Sequence, residues 1–276
     1  MIPPRLRGPI GAISLIAVGC FCLLVFDPDG KSRVAEYWGL GYLFGTLFGQ
    51  ATLAAAWTAF GPLPWYVRLP LAMVWVGMLW IALAGNIVFH GGPDEILAVL
   101  AACLLGQWLL VQAPLWGLAL FYGLRLQHRP AGQINFGSPQ HLQFGIRELM
   151  VFTAVVALLL GVSRAVILLV AEHMDDSSNH EAPIFIFLAV AAVIMTLPLL
   201  MAALLPRWAV AASLVVLGLI ALATVCELPL LRVLPPAPGP DIWHFTFINA
   251  FTAVWILAPI GIMRLGGYGL GGVDGG

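Results

Sequence analysis

Residues 69–89, LPLAMVWVGMLWIALAGNIVF, run for 21 positions without a charged side chain. A helix of about 20 apolar residues crosses the roughly 30 Å hydrocarbon core of a bilayer. The run lacks the alternation of a membrane strand, and a helix satisfies every backbone group within itself, as lipid requires. Working outward, similar runs lie at 9–26, 38–60, 96–122, 149–171, 184–205, 209–228 and 245–263. The sequence therefore predicts an all-α fold: one polytopic membrane bundle of about eight transmembrane helices over 1–276. Its longest connection, 125–148, is expected to be a cytoplasmic linker.

Composition points the same way. The chain is 61% hydrophobic and 9% charged, whereas soluble domains carry roughly 25% charged residues. A net charge of −1 gives no field for nucleic acid, and no nucleic-acid partner is expected. The lipid bilayer is the partner implied, with a protein partner or self-association as further possibilities. Cys20, Cys22, Cys103 and Cys226 lie in or beside apolar runs. They show no zinc spacing and read as small core side chains. Arg5 and Arg7 precede the first run as in a signal peptide. No small-x-small cleavage site follows, so an uncleaved first helix is expected.

The charges are sorted along the chain. Alternating spans put Arg5, Arg7, Arg68, Arg125, Arg129, Arg147, Arg207 and Arg264 at one set of helix ends, against Lys31, Arg33 and Arg232 at the other. The richer set belongs inside, so both termini are expected in the cytoplasm. The linker divides the helices into four plus four. Gly92-Pro93-Asp94 and Gly239-Pro240-Asp241 precede the last helix of each half. A 4+4 parallel pseudo-repeat is one account of this; Pro and Asp suiting any helix start is the other.

Phe144-Gly145-Ile146-Arg147-Glu148-Leu149, followed by an apolar run, resembles a segment of planctomycete multi-pass membrane proteins that have no established activity. The resemblance implies a bacterial inner membrane and supplies no catalytic role. Read from the residues, Phe144 and Ile146 dip into the interface while Arg147 holds headgroup level, anchoring the helix start.

Several residues are candidates for function. Arg164 stands inside the run 149–171, where a charge costs a few kcal/mol unless paired. Glu227, near the outer end of 209–228, is its expected partner; a packing lock between helices or snorkelling to headgroups are the plainer alternatives. His90, His173, His180 and His244 fall on the outer side among carboxylates, a donor set that suits a borderline metal or simply a solvated acidic loop. Gly41, Gly45 and Gly49 share one face of a helix and mark close helix packing, within the chain or between copies. Gln50, Asn86, Gln107, Gln112 and Asn249 must find partners in the bundle. Gln107 and Gln112, near a kink expected at Pro114, serve either a polar pathway or interhelical bonding.

Signatures of intramembrane proteases, haem bundles and phosphate-binding loops are missing from the sequence, so no catalytic residue and no cofactor are expected. Three classes of function remain. The favoured one is a non-enzymatic membrane component acting through partners. The others are a small-solute or ion permease using Arg164 and Glu227, and an enzyme or metal site at the outer face.

Overall fold

The computed structural model describes residues 33–89, 94–122, 124–128 and 242–272, with shorter pieces at 13–14, 16–19, 21, 191–196, 199, 218, 220–221 and 224. Its elements are α1 (Arg33–Phe60), α2 (Trp65–Phe89), α3 (Asp94–Tyr122), β1 (Leu124–His128), α4 (Ile242–Leu265) and β2 (Tyr268–Gly272). The described part is almost wholly helical. Among the described residues three segments are long and apolar enough to cross a membrane: Trp65–Val88, Cys103–Leu120 and Ile242–Leu265.

The helices extend past the apolar runs that announced them. α1 begins at Arg33 rather than 38, and α2 at Trp65 rather than 69. Hydropathy marks the part of a helix that lipid must accept, whereas backbone bonding continues until a breaker arrives. For α1 that breaker is Gly61-Pro62-Leu63-Pro64, and Arg68 closes the turn. Its Nη1 donates to the carbonyls of Ala59 at 3.0 Å and Gly61 at 2.9 Å, placing a cation against the last carbonyls of α1.

Among the described helices α1 is the central one, touching α2, α3 and α4. It is less apolar than its neighbours, yet every residue from Gly45 to Ala55 is buried. A central helix is shielded from lipid by the others, so it can carry polar side chains that satisfy themselves. The hydroxyls of Thr46, Thr52 and Thr58 each donate to the carbonyl four residues earlier, at 2.6, 2.9 and 2.6 Å. The outer helices show the reverse pattern. On α2, Leu71, Met73, Val74, Met78 and Ile81 are exposed, as a face turned to lipid tails should be.

Gly41, Gly45 and Gly49 line the seam between α1 and α4. A Cβ on Gly45 would stand 2.5 Å from Cβ of Phe251 and 2.8 Å from the backbone nitrogen of Thr252. Gly41 faces Phe247 in the same way at 2.6 Å, and Gly49 faces Trp255 at 2.7 Å. Both series advance by four, so the two helices run parallel. Trp38 and Tyr42 flank the glycines and continue the contact. Trp38 meets Phe247 at 5.2 Å and Phe251 at 5.5 Å, and Tyr42 meets Phe251 at 5.7 Å and Trp255 at 6.2 Å between ring centroids.

Two short strands depart from the expectation of helices alone. β1 follows α3, β2 follows α4, and they pair antiparallel from Leu124↔Gly272 to His128↔Tyr268. α4 ends as Gly266 and Gly267 donate to the carbonyls of Ile262 and Arg264, with Gly267 at a φ of 82°. That left-handed turn admits glycine readily. The first residues of the expected linker are thus a strand, and the ribbon ties the ends of α3 and α4 together.

Substituting Gly45→Ala should destabilise the protein by about 1–3 kcal/mol, because the packed seam has no room for a methyl group. Gly77 has nothing within 4 Å of its added Cβ. Gly77→Ala should therefore be neutral or stabilising by up to about 1 kcal/mol. Unfolding in mixed micelles, followed by tryptophan fluorescence, checks the contrast. Equal effects at the two positions would contradict the seam.

Candidate functional site

In a membrane interior, polar side chains indicate where the fold departs from plain packing. The described helices carry two kinds. One kind is fully engaged. Gln50 is completely buried on α1: its Oε1 accepts from Nε1 of Trp75 at 3.2 Å, and its Nε2 donates to the Ile16 carbonyl at 3.3 Å. A Cβ on Gly19 would collide with the same amide and with the Trp255 ring. Gln50 therefore joins α1, α2 and the helical turn around Ile16. Asn249 on α4 likewise donates to Oγ1 of Thr224 at 3.3 Å. Asn86 is buried near the end of α2 and is engaged as well.

The other kind lies along α3. Gln107 donates through Nε2 to the Phe48 carbonyl at 3.0 Å and to Thr52 Oγ1 at 3.4 Å. Its Oε1 is buried with no hydrogen-bond partner among the described residues. The same holds for Nε1 of Trp108, Oε1 of Gln112 and Nε1 of Trp116. Trp108, Gln112 and Trp116 follow one another at intervals of four, which aligns them in a column on one side of the helix. The column rises about 12 Å from Trp108 to Trp116. It offers two N–H donors and, with Gln107, two carbonyl acceptors, and α3 has no charged residue after Glu95.

An unpartnered buried polar atom costs about 1–3 kcal/mol. Four on one helix would be a substantial burden if nothing engaged them. Chemically, the column suits a small uncharged molecule that both accepts from an indole N–H and donates to an amide oxygen. An ion would face a lipid-depth site with no countercharge on α3.

The residues singled out from sequence fall unevenly. Gly41, Gly45 and Gly49 stand against α4 of the same chain. His244 lies buried in the first turn of α4 and is engaged there. Among the described residues no group of metal-ligating side chains could hold an ion. Arg164, Glu227, Phe144, Ile146, Arg147, His90, His173 and His180 lie outside the described residues. The sequence reading weighed Gln107 and Gln112 but passed over Trp108 and Trp116. The spacing of 108, 112 and 116 was the available signal, hidden because tryptophan reads as apolar bulk.

The two kinds of amide predict opposite behaviour. Gln50→Leu should cost about 1–2 kcal/mol, since it strands the Trp75 indole and the Ile16 carbonyl. Gln112→Leu should be neutral or stabilising, because it removes an acceptor that nothing among the described residues engages. Detergent-melt curves of the two variants check this, and a large loss at Gln112 would show that it has a structural partner.

No family model matches the chain, and neither a curated protein nor a solved structure matches it.

Proposed function

We propose that the protein is a multi-pass component of a bacterial inner membrane that passes a small uncharged polar solute between its helices. The carrying observation is the α3 column of Gln107, Trp108, Gln112 and Trp116, whose buried polar atoms have no partner among the described residues. Such atoms persist in a fold when something else engages them, and water or a small solute bearing hydroxyl or amide groups suits both the donors and the acceptors. In this reading the permease class moves ahead of the component that acts only through partners. Arg164 and Glu227 would form a further polar pair in the outer half of the bilayer.

The membrane topology proposed is eight spans with both termini in the cytoplasm, arranged as four plus four. Charge placement supports it. Arg68, Arg125 and Arg264 lie at the end where α1, α3 and α4 finish, whereas Glu36, Asp94 and Glu95 lie where α1 and α3 begin. The end rich in arginine belongs inside. Because α3 finishes at that end and α4 starts at the other, an odd number of crossings is needed between them. Helices at 149–171, 184–205 and 209–228 would supply three. The inner membrane follows from the resemblance around Phe144 to Arg147.

Osmotic shrinkage of proteoliposomes, followed by light scattering, tests the proposal with water, glycerol and urea. At least one of them should permeate several-fold faster than through protein-free vesicles. Trp108→Phe should lower that flux about five- to tenfold, the equivalent of roughly 1–1.4 kcal/mol for one lost hydrogen bond. Flux no greater than in empty vesicles would overturn the reading and return the search to protein partners.

A further inference from the structure

The arginine-rich end of the bundle holds a second feature, independent of the α3 column. Arg68 is pinned beside the end of α1 by its two bonds to Ala59 and Gly61. Its Nε is buried and has no hydrogen-bond partner among the described residues. β1 packs against α1 and pairs with β2, which follows the end of α4, so Arg125 lies at the same end of the bundle as Arg68. Arg125 is exposed on its strand. The described acids Glu36, Asp94 and Glu95 lie at the opposite end, so no carboxylate among the described residues offsets this pair. Like charges held together cost free energy unless an anion joins them.

The surroundings indicate which anion. Leu63, Trp65 and Tyr66 are exposed in the turn and first residues of α2, beside Arg68. Exposed tryptophan and tyrosine at the end of a spanning helix mark headgroup depth, where rings lie between acyl chains and water. An arginine pair at that depth meets lipid phosphates, and a guanidinium fork matches phosphate oxygens in a bidentate manner.

We propose that Arg68 and Arg125, bordered by Trp65 and Tyr66, form a binding site for the phosphate group of an anionic phospholipid in the leaflet at the arginine-rich end. The lipid phosphate supplies the missing countercharge, while its acyl chains lie along the apolar outer face of α2. Arg68 has a structural role as well, capping α1, so Arg125 is the position that separates lipid binding from folding. The lipid site requires only that this end of the bundle meets a membrane surface, and it stands or falls apart from solute passage.

The test is native mass spectrometry of the full chain titrated with phosphatidylglycerol or phosphatidylethanolamine, alongside thermal melts. Wild-type protein should retain phosphatidylglycerol at least fivefold better. Arg125→Gln should bring that preference below about twofold without lowering the melting temperature of the lipid-free protein, which loses only a like-charge repulsion. Equal retention of the two lipids by wild type would overturn the site, as would a preference that survives Arg125→Gln. Inorganic phosphate at millimolar concentration should not raise the melting temperature. A rise equal to that given by phosphatidylglycerol would assign the site to free phosphate and overturn the lipid.

Discussion

The described structure depends on one contact, the approach of the α1 and α4 backbones across Gly41, Gly45 and Gly49. In lipid the hydrophobic effect does not drive helices together, because acyl tails are as apolar as leucine. Association then rests on dispersion across closely fitted surfaces, and removing three side chains lets the Cβ atoms of Phe247, Phe251 and Trp255 reach the opposite backbone. Trp38 and Tyr42 enclose the same aromatic residues from the side. Any methyl group on the glycine face would push the helices apart and loosen these ring contacts together.

From that seam the remaining arrangement follows. With α4 along one side and α2 and α3 along others, α1 is withdrawn from lipid, which frees it to carry threonines and Gln50 at full burial. The outer helices have the complementary constraint and expose leucine, methionine and valine. α3 combines both demands. Its face toward α1 packs through Leu104, Val111 and Leu115, all buried, and beside that face runs the column of indole N–H groups and amide oxygens that have no partner among the described residues. A helix kept only for packing against the described helices would hold leucine at 112, since a buried carbonyl with no partner among them adds nothing to that packing.

Much of this was legible in the sequence, for identifiable reasons. The apolar runs corresponding to α2, α3 and α4 could be read because lipid imposes composition on whole segments. The glycine face could be read because a spacing of four is rare enough to carry meaning. Its partner face at Phe247, Phe251 and Trp255 follows the same spacing but was missed, since large aromatics are ordinary in any apolar run. The ribbon was missed because Tyr268 to Gly272 is mostly glycine and has no strand pattern of its own. Its pairing is imposed by where α3 and α4 happen to end. The central position of α1 was also hidden, because the sequence does not say which helix its neighbours enclose. Part of the site was legible as Gln107 and Gln112, whereas which of their atoms find partners among the described residues is a property only the packed structure displays.

The parallel α1–α4 seam can be tested most directly by cross-linking in native membranes. In a background with Cys20, Cys22, Cys103 and Cys226 replaced, paired cysteines would be placed by Tyr42→Cys with Phe251→Cys. Trp38→Cys with Trp255→Cys serves as the control, because those positions coincide only if the helices run antiparallel. The structure predicts intramolecular bridging of the first pair by a short bismaleimide of about 8 Å span and none in the second, whose positions lie about 16 Å apart along the seam. Bridging in the second pair, or only between two copies of the chain, would contradict it.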